Sequence, residues 1–144
     1  MRLQLALNVR NIGEAISYYS KLFNTPPHKQ KEDYANFEID NPPLKLVLIE
    51  NPHANHRINH LGVELTQEED LSAVSDRLDY LGISDIKEEE STCCHATQNK
   101  VWSKEPQGLN WEWYTITDDY PEVTVPSNAN ECCDVEPQTS ECCN

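Results

Sequence analysis

Arg2-Leu3-Gln4-Leu5-Ala6-Leu7-Asn8-Val9 and its counterpart Asn59-His60-Leu61-Gly62-Val63-Glu64-Leu65 decide the fold. Both alternate with a period of two, the pattern of a strand with one face in a core. Leu3, Leu5, Leu7 and Val9 share one face of the first stretch, and Gln4, Ala6 and Asn8 the other. In the second, Leu61, Val63 and Leu65 oppose His60, Gly62 and Glu64. Each stretch runs into a helix signal. Asn11 is an N-cap with Glu14 three residues on, and Ile12, Ala15, Ile16, Tyr19, Leu22 and Phe23 recur at the helical period until Pro26-Pro27. Thr66 with Glu69 has the form of a capping box. Leu71, Val74, Leu78 and Leu81 line one face of the second helix, and Gly82 takes the position after its C-cap.

Further out, Tyr34–Ile39 and Leu44–Ile49 read as strands around the turn Asn41-Pro42-Pro43. In the second half, Ser84–Lys87, Thr92–Ala96, Lys100–Ser103 and Leu109–Ile116 are strand candidates. Each half is then β-α-β-β-β, over about residues 1–50 and 58–117, and the two N-caps lie 55 residues apart. The expectation is an α+β domain over residues 1–117. Apolar strand faces pack on the helices, and the opposite faces line one concave surface of a cupped mixed sheet.

Residues 118–144 form the rest. From Thr117 onward there are seven acids, no Lys or Arg, Pro121, Pro126 and Pro137, and almost no large aliphatic residues. Such a stretch cannot bury enough apolar surface to order itself, so it reads as a disordered acidic tail. It holds two copies of one element, Glu131-Cys132-Cys133 and Glu141-Cys142-Cys143.

All six cysteines occur as adjacent pairs: Cys93-Cys94, Cys132-Cys133 and Cys142-Cys143. A secreted disulfide framework spaces its cysteines to close loops, whereas neighbours bridge each other only in a strained ring. Paired soft sulfurs suit a thiophilic partner such as trivalent arsenic, antimony, cadmium or zinc. His95 beside the thiols is either a partner that lowers their pKa or an ordinary surface histidine.

Composition excludes several classes. The 144 residues carry 11 Lys and Arg against 25 Asp and Glu, a net charge of −14, which argues against nucleic-acid binding. The only glycines, Gly13, Gly62, Gly82 and Gly108, make no phosphate-cradling loop or dinucleotide fingerprint, and no G-x-S-x-G appears. No apolar run approaches the roughly 20 residues of a membrane span, and the N-terminus does not read as a signal peptide. The expectation is a soluble cytoplasmic protein.

Gln4 and His60 occupy matching places in the two halves. In the last strand Asn110, Glu112 and Tyr114 oppose Leu109, Trp111 and Trp113. An amide oxygen, an imidazole and a carboxylate on one concave surface can bind a divalent first-row metal and leave positions open. The same residues also suit surface and rim positions, and the donor types admit Mn, Co or Ni as well as iron. His53, His56 and His60 form a competing cluster, although the first two lie in a loop-like stretch.

The duplicated pattern resembles the vicinal oxygen chelate superfamily, which includes glyoxalase I, extradiol dioxygenases and bleomycin-resistance proteins. Gln4-Leu5-Ala6-Leu7-Asn8-Val9, Asn59-His60-Leu61-Gly62-Val63, Thr92-Cys93-Cys94 and Lys100-Val101-Trp102 resemble its carbon–arsenic lyase branch, also described as cadmium-induced proteins. The resemblance covers about residues 1–117. It implies Fe(II)- and dioxygen-dependent cleavage of trivalent organoarsenicals such as methylarsenite to inorganic arsenite. Gln4, His60 and Glu112 would hold the iron and Cys93 and Cys94 the arsenic, with no protein catalytic group beyond the metal centre. His95 stands where an aromatic is expected in relatives. Cys132, Cys133, Cys142 and Cys143 are auxiliary arsenic-binding candidates.

Two other readings compete. One is a non-catalytic protein that sequesters cadmium, arsenic or antimony, favoured by the Cys pairs. The other is a glyoxalase-like isomerase, weakened because the first-half position matching Glu112 falls near the apolar Val47. A monomer and a homodimer formed by exchanging halves are both open.

Overall fold

The computed structural model describes residues 1–93 and 96–120. Its elements run β1 (Arg2–Val9), α1 (Ile12–Phe23), β2 (Lys29–Gln30), β3 (Tyr34–Ile39), β4 (Leu44–Glu50), β5 (Ile58–Leu65), α2 (Glu68–Tyr80), β6 (Lys87–Cys93), β7 (Ala96–Lys104) and β8 (Asn110–Asp118). Each half is β-α-β-β-β, and the fold is α+β, as the duplication implies. The strands form one curled sheet in the order β2-β3-β4-β1-β5-β8-β7-β6. The halves join through β1 and β5, which pair antiparallel. Within each half the first strand pairs parallel with the last, β1 with β4 and β5 with β8.

The helices cover the outer face. Against α1, Leu5, Leu7 and Val9 of β1 pack with Ala35, Phe37, Ile39, Leu46 and Leu48. Against α2, Val63 and Leu65 of β5 pack with Leu71, Val74, Leu78, Val101 and Trp113. The first helix starts where its cap specifies: the Asn11 side chain accepts from the Glu14 N–H at 2.8 Å. It ends at Asn24 in the left-handed region (φ 50°). Gly82 (φ 68°) follows the Leu81 C-cap, as expected.

The structure departs from the sequence expectation at several points. The short strand β2 was not expected, and of the expected strand Ser84–Lys87 only Lys87 joins β6, although Asp85 and Ile86 keep isolated backbone hydrogen bonds to Trp102. α2 starts one residue later than the Thr66 capping box implies, with Gln67 at the N-cap and no side-chain cap hydrogen bond. Leu22 and Leu81 are 55% exposed. Leu22 lies on the flank of the stripe formed by Ile12, Ile16, Tyr19 and Phe23, and Leu81 lies beyond the last turn of its helix. The expected strand Thr92–Ala96 is split between the end of β6 and the start of β7, which form a hairpin with Cys93 opposite Ala96. Leu3, at the outer end of its apolar face, is 47% exposed.

Leu48 is fully buried where β4 meets α1. Leu48→Ala is expected to cost about 2–5 kcal/mol of unfolding free energy, read from the urea midpoint at constant m-value.

Candidate metal centre

Alternation sends every second residue of β1, β5 and β8 to the inner face, where polar residues are buried. Gln4, His60 and Glu112 are 5%, 9% and 4% exposed. Their side chains converge. Gln4 Nε2 donates to Glu112 Oε1 at 2.7 Å and lies 3.0 Å from His60 Nε2, which is 3.5 Å from Glu112 Oε1. In the strand ladders Gln4 lies opposite Gly62, and Gly62 beside Glu112. A Cβ at Gly62 would stand 3.1 Å from Glu112 Cγ and 3.3 Å from the Gln4 side chain. The glycine therefore makes the space in which the two side chains meet.

The surroundings hold this cluster in place. Burial opposes ionisation of Glu112, but the adjoining His60, Lys100 and Gln4 more than offset it and keep the carboxyl below its ordinary value. Lys100 Nζ lies 3.9 Å from Glu112 Oε2. The Trp102 ring stands edge-on to His60 at 5.3 Å, and its indole N–H donates to Glu88 at 2.7 Å. Tyr114 donates to Gln4 Oε1 at 2.5 Å and lies 3.0 Å from Glu64 Oε2. Burial and the neighbouring carboxylates push the Tyr114 phenol well above its ordinary value, so it stays protonated. Glu64 also pairs with Lys45 at 3.0 Å and Arg2 at 2.8 Å.

Lys100 and Trp102 belong to the motif that carried the family resemblance, whereas Tyr114, Glu64 and Asn8 were given no role in the sequence. Alternation was the available signal: Tyr114 shares a face with Glu112, Glu64 with His60, and Asn8 with Gln4. His53 and His56 are exposed, so the competing histidine cluster does not form and only His60 reaches the inner face. Cys94, His95 and the tail pairs Cys132-Cys133 and Cys142-Cys143 lie outside the described residues.

Residues 3–113 match the model of the glyoxalase/bleomycin resistance protein/dioxygenase superfamily. The chain belongs to this superfamily. It is 46% identical to the cadmium-induced protein CadI of Mycobacterium tuberculosis over 143 residues, covering 99% of this chain and 93% of that one. It is 41% identical to a trivalent organoarsenical cleaving enzyme of Thermomonospora curvata over 133 residues, covering 92% and 87%. Among solved structures, the fold is similar to a Mn(II)-bound glyoxalase from Novosphingobium aromaticivorans, with TM-score 0.60, 16% identity and coverage of 78% of this chain and 37% of that one. A homoprotocatechuate 2,3-dioxygenase from Brevibacterium fuscum matches with TM-score 0.59 and 15% identity, covering 78% and 31%. The superfamily thus contains dioxygenases, and the chain has relatives named for organoarsenical cleavage. Among the described residues no helix is long and apolar enough to cross a membrane.

The three donor side chains lie on the adjacent strands β1, β5 and β8, and their chemistry fits a divalent cation. Among the described residues no three His, Cys, Asp or Glu side chains gather as a metal group; here an amide is the third donor. Donors 3.5 Å apart, such as His60 Nε2 and Glu112 Oε1, suit one ion at about 2.0–2.2 Å from each. Gln4 now points a proton-bearing nitrogen at both lone pairs, the contact that a cation would replace. Exchanging its amide N and O brings an oxygen donor to the same place.

Glu64 yields a test of the inner-face electrostatics. Burial raises its pKa, but Lys45 and then Arg2 lower it further, leaving it below the ordinary 4.5. A depressed carboxyl stabilises the fold fully above its unfolded value, and that contribution is lost as pH falls through the folded value. Glu64→Ala also strands Lys45, and is expected to lose about 3 kcal/mol at pH 7. Urea unfolding at pH 7 and pH 4 should show this loss shrinking at the lower pH.

Proposed function

We propose that the chain is an Fe(II)- and dioxygen-dependent carbon–arsenic lyase, converting trivalent organoarsenicals such as methylarsenite to inorganic arsenite. The observation that carries this reading is the meeting of Gln4, His60 and Glu112. It is supported by the relatives named as trivalent organoarsenical cleaving enzymes. Gln4, His60 and Glu112 would hold the metal, whose contribution is to bind and activate dioxygen at positions the protein leaves open. The chain's own part is to keep Glu112 ionised and hold the imidazole in place, with the site walled by Trp102 and Tyr114.

Cys93 and Cys94 are the proposed arsenic ligands. Their two thiols condense with methylarsenite: two As–S bonds form, two As–O bonds break, and two waters leave. Tethering the substrate replaces a bimolecular encounter by an intramolecular one. Cys93 ends β6 opposite Ala96, and Glu112 pairs with Trp102. Those two points on β7 are six residues apart, about 20 Å along the strand. Catalysis on this reading requires the arsenic bound by Cys93 and Cys94 to come within reach of the inner face.

That separation also favours the second reading, stoichiometric sequestration of thiophilic metals, as does the name of the CadI relative. Arsenic speciation after mixing the protein with Fe(II), a thiol reductant, air and methylarsenite separates the two. Inorganic arsenite should accumulate with the parent chain. Glu112→Ala should bind methylarsenite but lose at least 100-fold in turnover, roughly the loss of a group acting only in the transition state. Cys93→Ser should lose both binding and turnover. Methylarsenite bound but unchanged in the parent chain would overturn the lyase reading and leave sequestration.

A further inference from the structure

A chain of hydrogen bonds behind His60 has a fixed direction. Asn8 Nδ2 donates to the backbone carbonyl of His56 at 2.9 Å. That oxygen can only accept, so the Asn8 amide has one orientation and turns its Oδ1 outward. Asn59 Nδ2 donates to this Oδ1 at 3.0 Å. The Asn59 amide is thereby fixed too, and its Oδ1 lies 2.7 Å from His60 Nδ1. An amide oxygen has no proton to give, so the proton in this contact belongs to Nδ1. At the other end Gln4 Nε2, a donor only, lies 3.0 Å from His60 Nε2 and is a nearer partner than Glu112 Oε1 at 3.5 Å, so the shorter contact has Nε2 accepting.

Asn59 reaches this position through an irregularity in the sheet. Ala6 pairs with His60 and Leu7 with Ile58, so Asn59 is an extra residue with no partner on β1. In a regular strand Asn59 and His60 would face opposite sides. The bulge re-aims the Asn59 side chain so that it meets both the His60 ring and Asn8. Glu112 Oε1 faces the ring at 3.5 Å from Nε2, farther than the 2.7 Å contact between Asn59 Oδ1 and Nδ1, so the closer amide oxygen makes the selection.

We propose that Asn59, oriented by Asn8, is a positioning residue that holds His60 in the Nδ1–H tautomer and so leaves Nε2 free to bind a divalent cation. This rests on the reading of His60 as a metal ligand. A ligating imidazole needs one nitrogen unprotonated, and the partner of the other nitrogen decides which.

The test uses the full chain with two readouts. Long-range proton–nitrogen NMR of the metal-free protein reports the His60 tautomer. Co(II) titration, followed by visible absorption, reports affinity. The parent chain is expected to show the Nδ1–H form. Asn59→Leu, of similar size but without an acceptor, should lose that preference and bind Co(II) about 10–100-fold more weakly. Asn59→Asp, which can still accept, should restore the tautomer and most of the affinity. Asn8→Ala should have a smaller effect of the same sign. Retention of the Nδ1–H form and of affinity within twofold in Asn59→Leu would overturn the proposal. His60→Ala separates the two levels: unchanged Co(II) affinity there removes the ligand reading, while the tautomer result still decides what Asn59 does.

Discussion

The antiparallel pairing of β1 with β5 is the contact on which the rest depends. It sets Gln4 opposite Gly62 and Ala6 opposite His60, which brings donors from both halves to one spot. A one-residue slip of either strand would turn its whole inner set toward the helices. The core prevents that slip. Leu5 and Leu7 pack in one outer cluster, and Val63 and Leu65 in the other. Burying each such side chain contributes about 1.5–3 kcal/mol, so exposing four of them costs roughly as much as a domain's whole stability of about 5–15 kcal/mol. The donor cluster is held in register by residues that never touch it.

The two halves are copies in backbone but not in chemistry. Ala6 lies beside Val47 in the parallel β1–β4 ladder as Gly62 lies beside Glu112 in the β5–β8 ladder. Val47 therefore holds the first-half place of Glu112, and it packs with Ala6 and Tyr34. The first half supplies one donor, Gln4, and the second supplies two. Ala6 and Gly62 divide the same way. Beside Val47 a methyl group fills space, whereas at Gly62 a methyl group would press on Glu112 and Gln4.

Much of this was legible in the sequence because strand and helix periods are local properties. The faces of β1, β5 and β8 follow from alternation, and the α1 cap from Asn11 and Glu14. Gln4 and His60 were legible from their matching positions in a duplicated unit and Glu112 from alternation in the last strand, but contact distances depend on how the sheet curls. The Asn59 bulge was not legible. Asn59 alternates to the outer face on paper, and only the mismatch between the β1 and β5 registers turns it inward. The late start of α2 was likewise hidden, since Thr66 and Glu69 have the spacing of a capping box and tertiary contacts decide otherwise. One such contact joins Glu68, in the first turn, to Thr115 of β8 at 2.9 Å.

The distribution of charge explains how an acidic chain builds a buried polar face. Of its 11 basic residues, Lys29, Lys45 and Lys100 are buried. A buried ammonium keeps its proton only beside a carboxylate. Lys29 pairs with Asp119 at 2.6 Å, Lys45 with Glu64 at 3.0 Å, and Lys100 lies between Glu88 and Glu112 at 4.0 and 3.9 Å. The last arrangement differs from the other two. At 3.9 Å the Lys100 ammonium favours the charge on Glu112 without donating a short hydrogen bond to it. Glu112 is thus kept ionised with the Gln4 amide donating to it at 2.7 Å and His60 Nε2 3.5 Å away. A carboxylate kept charged by its neighbours and met at short range by a neutral amide has room for a stronger, cationic partner. Glu64, bound closely by Lys45 and Arg2, is a carboxylate already satisfied, and that difference separates the candidate ligand from the structural acid.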